Sequence, residues 1–285
     1  MSTELPTLAV TGSTGALGGR VARLLASSGA AQRLLSRDVT RAPQVDGGVS
    51  VHFTGYADRP SVVHALEGAS TLFMVSASES ADRRDQHRAF VEAAAVAGVQ
   101  HVVYTSFFGA APDATFTLAR DHHATEEHIK ASGMGWTFLR DNFYLDVFAH
   151  FVGEDGVIRG PAGDGVVSAV SLDDVAACAA EVLSRPDEHV GTTYDLTGPE
   201  ALSLAAIAET LSVVLGHEVR YHDETIEEAY ESRRKWPAPD FMYDAWVSTY
   251  TAIAAGELAP VTDHVLNLTG RPPMSLAELL ARTNR

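Results

Sequence analysis

The chain has 285 residues, of which 46% are hydrophobic and 20% charged, a composition typical of a globular protein with a substantial core. Its net charge of −16, with no basic block, argues against nucleic acid and against an anionic membrane surface as partners. The single cysteine, Cys178, excludes an internal disulfide, and no Cys/His spacing suggests a metal site. Because no leader or membrane-spanning run is recognisable, we expect a cytoplasmic protein.

The first two elements predict a nucleotide-binding turn. The run Thr7–Gly12 predicts a strand and Leu17–Ser28 a helix, with three glycines spaced G-x-x-G-x-x-G at their junction. Such glycines allow a sharp turn, a close approach of a pyrophosphate and tight helix packing, while the helix N-terminus attracts the phosphates. The alternative is a glycine-rich turn without a ligand. The residues expected to bind the cofactor here are Gly12, Thr14, Gly15, Ala16, Leu17 and Gly18.

The second predicted strand, Gln32–Arg37, ends on a residue that informs the choice of coenzyme. An acidic residue at this place would favour the free 2′-hydroxyl of NAD, whereas the guanidinium of Arg37 suits a 2′-phosphate. We therefore predict NADP (NADPH) as the cofactor. Asp38 follows directly and its carboxylate could accept from a ribose hydroxyl. The alternative for Arg37 is a solvated loop arginine.

The remaining elements continue to alternate, which predicts the α/β class with a doubly wound parallel sheet (Rossmann). The predicted strands are Val49–Thr54, Thr71–Val75, His101–Ser106, Trp136–Arg140 and Thr193–Leu196. The predicted helices are Ser61–Leu66 (opened by Asp58 and Pro60), Arg83–Ala97, Leu118–Ser132 and Asp173–Leu183. Gly153 to Gly165 has the composition of a loop, and the last 85 residues look mostly helical. We expect a Rossmann domain over 1–150, with 167–199 returning to its sheet, and a smaller substrate-binding lobe over 151–285.

Polar and aromatic residues follow the later strands, where a doubly wound sheet binds its ligand. Ser76, Thr105 and Ser106 end two of these strands, and Asn142 follows a third. We expect Ser76 and Thr105 to contact the cofactor, and Ser106 and Asn142 to take part in catalysis. An aromatic pocket for the substrate is predicted from neighbouring residues, although each of them could instead be ordinary core. These residues are Phe107, Phe108, Phe143 and Tyr144.

Several motifs resemble the NmrA-like group of atypical short-chain dehydrogenases, and most closely its bacterial NADPH-dependent quinone oxidoreductases and triphenylmethane-dye reductases. They are Thr11–Gly18, Ser36-Arg37-Asp38, Tyr104-Thr105-Ser106, His122-x-x-x-Glu126, Ser132-Gly133, Thr137-x-Leu139-Arg140-x-Asn142-x-Tyr144, Asp195–Pro199 and Leu268–Pro273. The resemblance spans nearly the whole chain and implies an NADP-type cofactor held by the glycine turn and Arg37. One departure is Gly55 before Tyr56, where the family often has an acidic residue near the adenine; Asp58 lies two residues on.

The spacing His122-x-x-x-Glu126 stands where short-chain dehydrogenases have Tyr-x-x-x-Lys. The imidazole of His122 can bond a ribose hydroxyl or the nicotinamide amide, and Glu126 can fix its tautomer. Without a tyrosine and lysine pair, reduction of a quinone is more feasible than reduction of a ketone, because the hydroquinone anion is far less basic than an alkoxide. His122 is therefore predicted as catalytic and Glu126 as cofactor-binding. The alternative is a surface histidine paired with Glu126.

These features predict an NADPH-dependent reductase of a quinone-like or conjugated, electron-poor small molecule. A homodimer is one possible assembly, although the sequence does not determine the oligomeric state. Two other interpretations stay open. One is an NADP-sensing regulator that binds a partner protein without turnover. The other is a biosynthetic enzyme that acts on one specialised metabolite.

Overall fold

The structure is a computed structural model that describes residues 5–283. The strands are β1 Leu8–Val10, β2 Gln32–Ser36, β3 Gly48–His52, β4 Thr71–Met74, β5 His101–Phe107, β6 Gly135–Asp141, β7 Val157–Gly160, β8 Val166–Val167, β9 Thr192–Leu196, β10 Leu202–Ser203 and β11 Arg220–Asp223. The helices are α1 Ala16–Ser27, α2 Arg59–Leu66, α3 Arg83–Val96, α4 Thr117–Ala131, α5 Leu172–Ser184, α6 Leu204–Leu215, α7 Ile226–Arg233, α8 Asp240–Ala254, α9 His264–Thr269 and α10 Leu276–Thr283. None of the helices within these residues is both long and apolar enough to cross a membrane.

Seven strands form the main sheet, in the order β3-β2-β1-β4-β5-β6-β9. The pairings of β1 with β2 and β4, of β2 with β3 and of β4 with β5 are parallel. The strand order reverses between β1 and β4, which is the topological switch point at which such sheets bind ligands. The predicted doubly wound α/β class is confirmed, including the strand near residue 193 that joins the sheet.

The chain divides into two compact units that are interleaved along the sequence. Unit 1 contains the chain up to Ser106, Asp121–Arg140 and Val175–Tyr194, and unit 2 contains Phe107–Arg120, Asp141–Asp174 and the chain from Asp195 onward. The sequence-based assignment of a nucleotide-binding domain over 1–150 and a substrate lobe over 151–285 stays a prediction.

Each unit has its own hydrophobic core. In unit 1, Phe73, Phe90, Tyr104 and Phe138 are fully buried. The inner strands β1, β4 and β5 are buried along nearly their whole length, and they have the continuous apolar runs from which they were predicted. Cys178 is buried in α5, as its apolar neighbours predicted.

Helix α2 begins as its sequence predicted. The side chain of Asp58 accepts a hydrogen bond from the backbone N–H of Ser61, and Pro60 stands in the first turn. An aspartate at this position satisfies one of the free N–H groups of the first turn. Asp58 thus has a local role at the start of α2.

The prediction of a loop over Gly153–Gly165 is wrong in its middle, because Val157–Gly160 forms β7. This strand pairs in parallel with β11, which lies about sixty residues further along the chain. Both strands have only four residues, and their pairing is not local. An alternation of apolar and polar residues cannot be recognised in so short a run. The sequence around Val157 therefore contained no signal that predicts the strand.

Candidate active site

The turn after β1 is shaped by two glycines that no other residue could replace without strain. Gly12 has a φ of +63°, and a Cβ atom built on it would lie 2.9 Å from Cβ of Val75. A Cβ atom on Gly18 would lie 2.3 Å from the carbonyl oxygen of Gly12. The absence of both side chains therefore lets α1 start directly against the end of β1. Its first turn holds no acidic residue and its N-cap, Gly15, makes no side-chain cap.

This turn forms one wall of a cleft of about 470 Å³ in unit 1. The other walls are the ends of β2 and β4 and the loop after β3. Among the sequence-predicted residues, those that line the cleft are Gly12, Thr14, Gly15, Ala16, Leu17, Gly18, Arg37 and Ser76. The free N–H groups at the start of α1 and this shape fit the diphosphate of a dinucleotide.

The side chains of Arg37 and Asp38 have different surroundings. Arg37 is exposed and lines the cleft. The carboxylate of Asp38 instead accepts from the backbone N–H of Thr40 at 3.0 Å and from its hydroxyl at 2.6 Å, and these bonds lower the pKa of Asp38. The hydroxyl of Ser36, beside Arg37 in the cleft wall, is buried without a partner among the described residues. The strand end thus offers a cation and an unpaired hydroxyl, which fit a phosphate group.

The loop after β3 supplies Gly55 and Tyr56 to the cleft wall. The hydroxyl of Tyr56 donates to the carbonyl of Val75 at 2.5 Å and lies 2.7 Å from Oγ1 of Thr11. Its ring stacks on Phe90 at 4.1 Å between centroids. Tyr56 thus joins the loop to the ends of β1 and β4.

The opposite wall, at Ser76 and Ala77, is held from behind by buried polar side chains. Oγ1 of Thr105 accepts from the N–H of Ser76 at 2.9 Å. Nε2 of His87 accepts from the N–H of Ala77 at 2.9 Å, and Nε of Arg83 donates to the carbonyl of Ala77 at 3.0 Å. Both backbone groups of Ala77 are therefore fixed by residues of α3.

His122 belongs to the same buried network. The Nη2 group of Arg83 donates to Nε2 of His122 at 3.0 Å, and Nδ1 of His122 lies 3.0 Å from the hydroxyl of Tyr104. Because arginine only donates, Nε2 must accept, so the imidazole is neutral and carries its hydrogen on Nδ1. Burial, and then the charge of Arg83, hold the pKa of His122 well below its usual value.

The alternative of a surface histidine paired with Glu126 is wrong, because His122 is only 7% exposed and Glu126 is completely buried. Glu126 does not fix the His122 tautomer either, since Arg83 determines it. The carboxylate of Glu126 accepts from Ser106 at 2.5 Å and from Arg140 at 2.8 and 2.6 Å. This arrangement ties β5, α4 and β6 together and compensates the buried carboxylate.

Asn142 lies in unit 2 and its carboxamide is fully engaged. Its Nδ2 group donates to Oγ of Ser168 at 2.8 Å and to the carbonyl of Leu258 at 3.0 Å, while its Oδ1 accepts from the N–H of Phe143 at 2.7 Å. Tyr144 donates to Oδ2 of Asp141 at 2.9 Å. Asp141 is buried, which raises its pKa well above the usual value.

The predicted aromatic residues separate into different surroundings within unit 2. Phe107 and Phe143 lie edge-to-face at 6.2 Å and both contact Phe116. Phe108 is buried in the hydrophobic core. Phe143 also lines a cavity of about 550 Å³ in this unit. Whether these rings bind a substrate stays a prediction.

Sequence reasoning missed Arg83 and His87, whose side chains hold the cleft wall. They stand four residues apart on α3, so they project from the same face of the helix. That spacing was a usable signal, but only burial distinguishes such a pair from a solvated helix face: Arg83 is 3% and His87 1% exposed.

Residues 5–240 match the NmrA-like family. The chain belongs to that family. The predicted resemblance is thereby confirmed.

Several proteins that are similar to this chain over nearly its whole length are named as reductases or oxidoreductases. It is 33% identical over 273 residues to an NAD(P)H azoreductase of Xenophilus azovorans, covering 94% of this chain and 95% of the relative. The structure of an NADPH-dependent quinone oxidoreductase of Escherichia coli complexed with NADPH is 29% identical, with a TM-score of 0.89 over 98% of this chain and 100% of that one. A triphenylmethane reductase of Citrobacter sp. complexed with NADP(H) is 30% identical, with a TM-score of 0.85 over 97% of this chain and 99% of that one.

Proposed function

We propose that this protein is an NADPH-dependent reductase that transfers a hydride to a quinone-like or conjugated, electron-poor small molecule. The observation that carries the proposal is the cleft at the switch point, where the glycine turn meets an exposed Arg37 instead of an acidic residue. The full-length similarity to an azoreductase, a quinone oxidoreductase and a triphenylmethane reductase supports the same class of reaction.

The residues of the cleft have separate tasks in this proposal. The turn from Gly12 to Gly18 and the start of α1 bind the diphosphate, with Thr14 beside it. Arg37 binds the 2′-phosphate and so distinguishes NADPH from NADH. Ser76 and the fixed backbone of Ala77 form the wall against which the nicotinamide half is oriented.

When bound, NADPH supplies the hydride, and a proton from solvent or from a side chain completes the two-electron reduction of the acceptor. We propose that His122 is a positioning residue in this scheme, because its imidazole is buried and bonded to Arg83 and Tyr104. Thr105 has the same kind of role, because it holds the backbone of Ser76. Ser106 and Glu126 hold β5 and α4 together and thereby support the end of β5. Asn142 fixes the backbone at Phe143, because its side-chain oxygen accepts from the N–H of that residue.

A steady-state assay tests the reductase. Purified protein receives NADPH and a panel of quinones, azo dyes and triphenylmethane dyes, while the absorbance of the reduced nicotinamide is followed. We expect acceptor-dependent oxidation of NADPH that is faster than with NADH. Tight NADPH binding without oxidation by any acceptor would instead favour the regulator that senses the cofactor. The predicted homodimer and the cytoplasmic location stay predictions.

A further inference from the structure

Unit 2 contains a cavity of about 550 Å³, a volume typical of sites for small molecules. Five aromatic rings line it, and they come from the segment before β7, from the loop between α7 and α8, and from α8. These rings are Phe143, Phe151, Trp236, Trp246 and Tyr250. Aromatic walls of this kind bind flat conjugated molecules by stacking and by edge-to-face contacts.

The charged side chains that line this cavity are all basic, although the chain as a whole is acidic. The protein has 37 acidic and 21 basic residues. Yet the described residues that line the cavity contain Arg159, Arg233, Lys235 and His150, and they contain no aspartate and no glutamate. The net negative charge of the molecule disfavours the binding of anions over most of its surface. A local group of cations beside aromatic rings is therefore the place where an anionic molecule would bind.

Two of the three cations already have their charge compensated. Arg233 is buried, donates to Glu224 at 2.8 Å and stands over the ring of Tyr250 at 4.9 Å. Arg159 donates to both carboxylate oxygens of Asp155, at 3.0 and 2.5 Å. Both guanidinium groups therefore form part of the cavity wall, and their charges are already balanced by carboxylates.

Lys235 differs from both arginines. It makes no ion pair within residues 5–283, and its Nζ lies 4.2 Å from the centroid of the Trp236 ring. Trp236 is 54% exposed, which is unusual for a residue with so large an apolar side chain. An exposed tryptophan with an uncompensated ammonium above it suits an aromatic acid, because the indole ring can stack on the aromatic part and the ammonium can bind the acidic group.

The chain contains only one other lysine, Lys130, which provides an internal comparison. Lys130 also lies over a tryptophan, with its Nζ 5.4 Å from the centroid of the Trp136 ring. Its Nζ, however, lies 2.8 Å from a carboxylate oxygen of Glu127. The contact with an indole ring is thus common to both lysines, and the missing counter-charge is particular to Lys235.

We propose that this cavity binds the acceptor between its aromatic rings and that Lys235 selects acceptors that carry an acidic substituent, such as a sulfonate or a carboxylate. The acceptor role rests on the proposed reductase function. The binding of an aromatic acid does not, because it depends only on the rings and on the cation.

The binding is tested first without turnover. Naphthalene sulfonate and naphthalene sulfonamide have nearly the same shape and differ by one charge, so calorimetry with both in the absence of NADPH isolates the charge. We expect the sulfonate to bind more tightly to the parent, and Lys235→Met to weaken its binding roughly three- to tenfold, with a smaller change for the sulfonamide. Lys130→Met keeps the parent affinities. Added salt weakens sulfonate binding in the parent more than in Lys235→Met.

Turnover is then measured with a naphthoquinone and with the same quinone carrying a sulfonate. We expect Lys235→Met to lower kcat/KM for the sulfonated quinone, relative to the uncharged one, roughly three- to tenfold. Normal NADPH oxidation with no effect of Lys235→Met on this ratio overturns the selectivity and leaves the reductase function intact. Sulfonate binding that depends on Lys235, in a protein that oxidises no NADPH, keeps the site and overturns the reductase. Equal binding of sulfonate and sulfonamide overturns the site.

Discussion

Arg83 donates to the imidazole of His122 at 3.0 Å and, with another nitrogen of the same guanidinium, to the carbonyl of Ala77 at 3.0 Å. A residue that sequence reasoning placed in the chemistry is thus connected, through one buried side chain, to the wall of the nucleotide cleft. The position of this cleft wall is therefore determined partly by Arg83 and His122, which can act without direct contact with a bound ligand.

Replacement of His122 should therefore act on the cleft through Arg83. We expect His122→Ala to lower the free energy of unfolding by about 2 kcal/mol, because it leaves a buried guanidinium N–H unpaired. The same variant should raise the KM for NADPH several-fold. Urea denaturation and steady-state kinetics measure the two effects. His123→Ala, at the adjacent half-buried position, is the control, and equal behaviour of the two variants would contradict the network.

Arg37 should decide between the two coenzymes. We expect Arg37→Gln to raise the KM for NADPH by about 10- to 100-fold, the loss of one charge-assisted contact with a phosphate, and to change the KM for NADH little. Arg41→Gln removes the same charge four residues away, outside the lining of the cleft, and serves as the control. Equal losses for both coenzymes would show that Arg37 does not contact the 2′-phosphate.

Two adjacent glycines of α1 should respond differently to alanine. A Cβ atom on Gly18 would meet the backbone of Gly12 at 2.3 and 2.5 Å, so Gly18→Ala should cost about 2 kcal/mol of stability or more and weaken NADPH binding. The atom nearest to a Cβ on Gly19 is the carbonyl oxygen of Ser13, at 3.0 Å, and the guanidinium of Arg23 follows at the ordinary contact distance of 3.6 Å. The gain in helix propensity, about 1 kcal/mol, offsets the contact with Ser13, so Gly19→Ala should be nearly neutral. Urea denaturation and calorimetry distinguish them.

His87 should make the protein sensitive to acid. Burial, followed by the charge of Arg83, lowers its pKa from 6.5 to about 3. Between these values the unfolded chain binds a proton at His87 and the folded chain does not, so the free energy of unfolding falls as the pH falls from about 6.5 towards about 3. The contribution is at most about 1.4 kcal/mol per pH unit.

Urea denaturation of the parent and of His87→Gln at several pH values measures this contribution. The difference in slope between the two proteins isolates His87 from the carboxylates and from the other buried histidines. We expect a shallower fall of stability in the variant below pH 6.5. Parallel curves for both proteins would mean that His87 is protonated in the folded state as easily as in the unfolded one.

The sequence predicted the main sheet well because its strands are continuous apolar runs between clear turn residues. Thr71–Val75 and His101–Ser106 agree with β4 and β5 to within one residue at either end. The glycine turn was predictable because Gly12 and Gly18 meet steric demands that arise within the turn itself. Asp58 likewise acts within three residues of its own position.

What the sequence could not reveal depends on pairs that are far apart along the chain. Strand β7 exists because β11 pairs with it, and neither four-residue segment has a pattern of its own. Arg83 is a charged residue at the start of a helix, and it could be taken for a solvated one. Its buried position follows only from its partners Ala77 and His122, one before it and one far beyond it in the chain.

The chain passes from one compact unit to the other five times, at positions near 107, 121, 141, 175 and 195. Neither unit can therefore be cut out as one uninterrupted gene fragment. Grafting unit 2 of one relative onto unit 1 of another would require three segments to be exchanged together, at five junctions. We therefore expect point substitutions, such as those at the proposed Lys235 site, to change acceptor specificity with less disruption of the fold than an exchange of whole units.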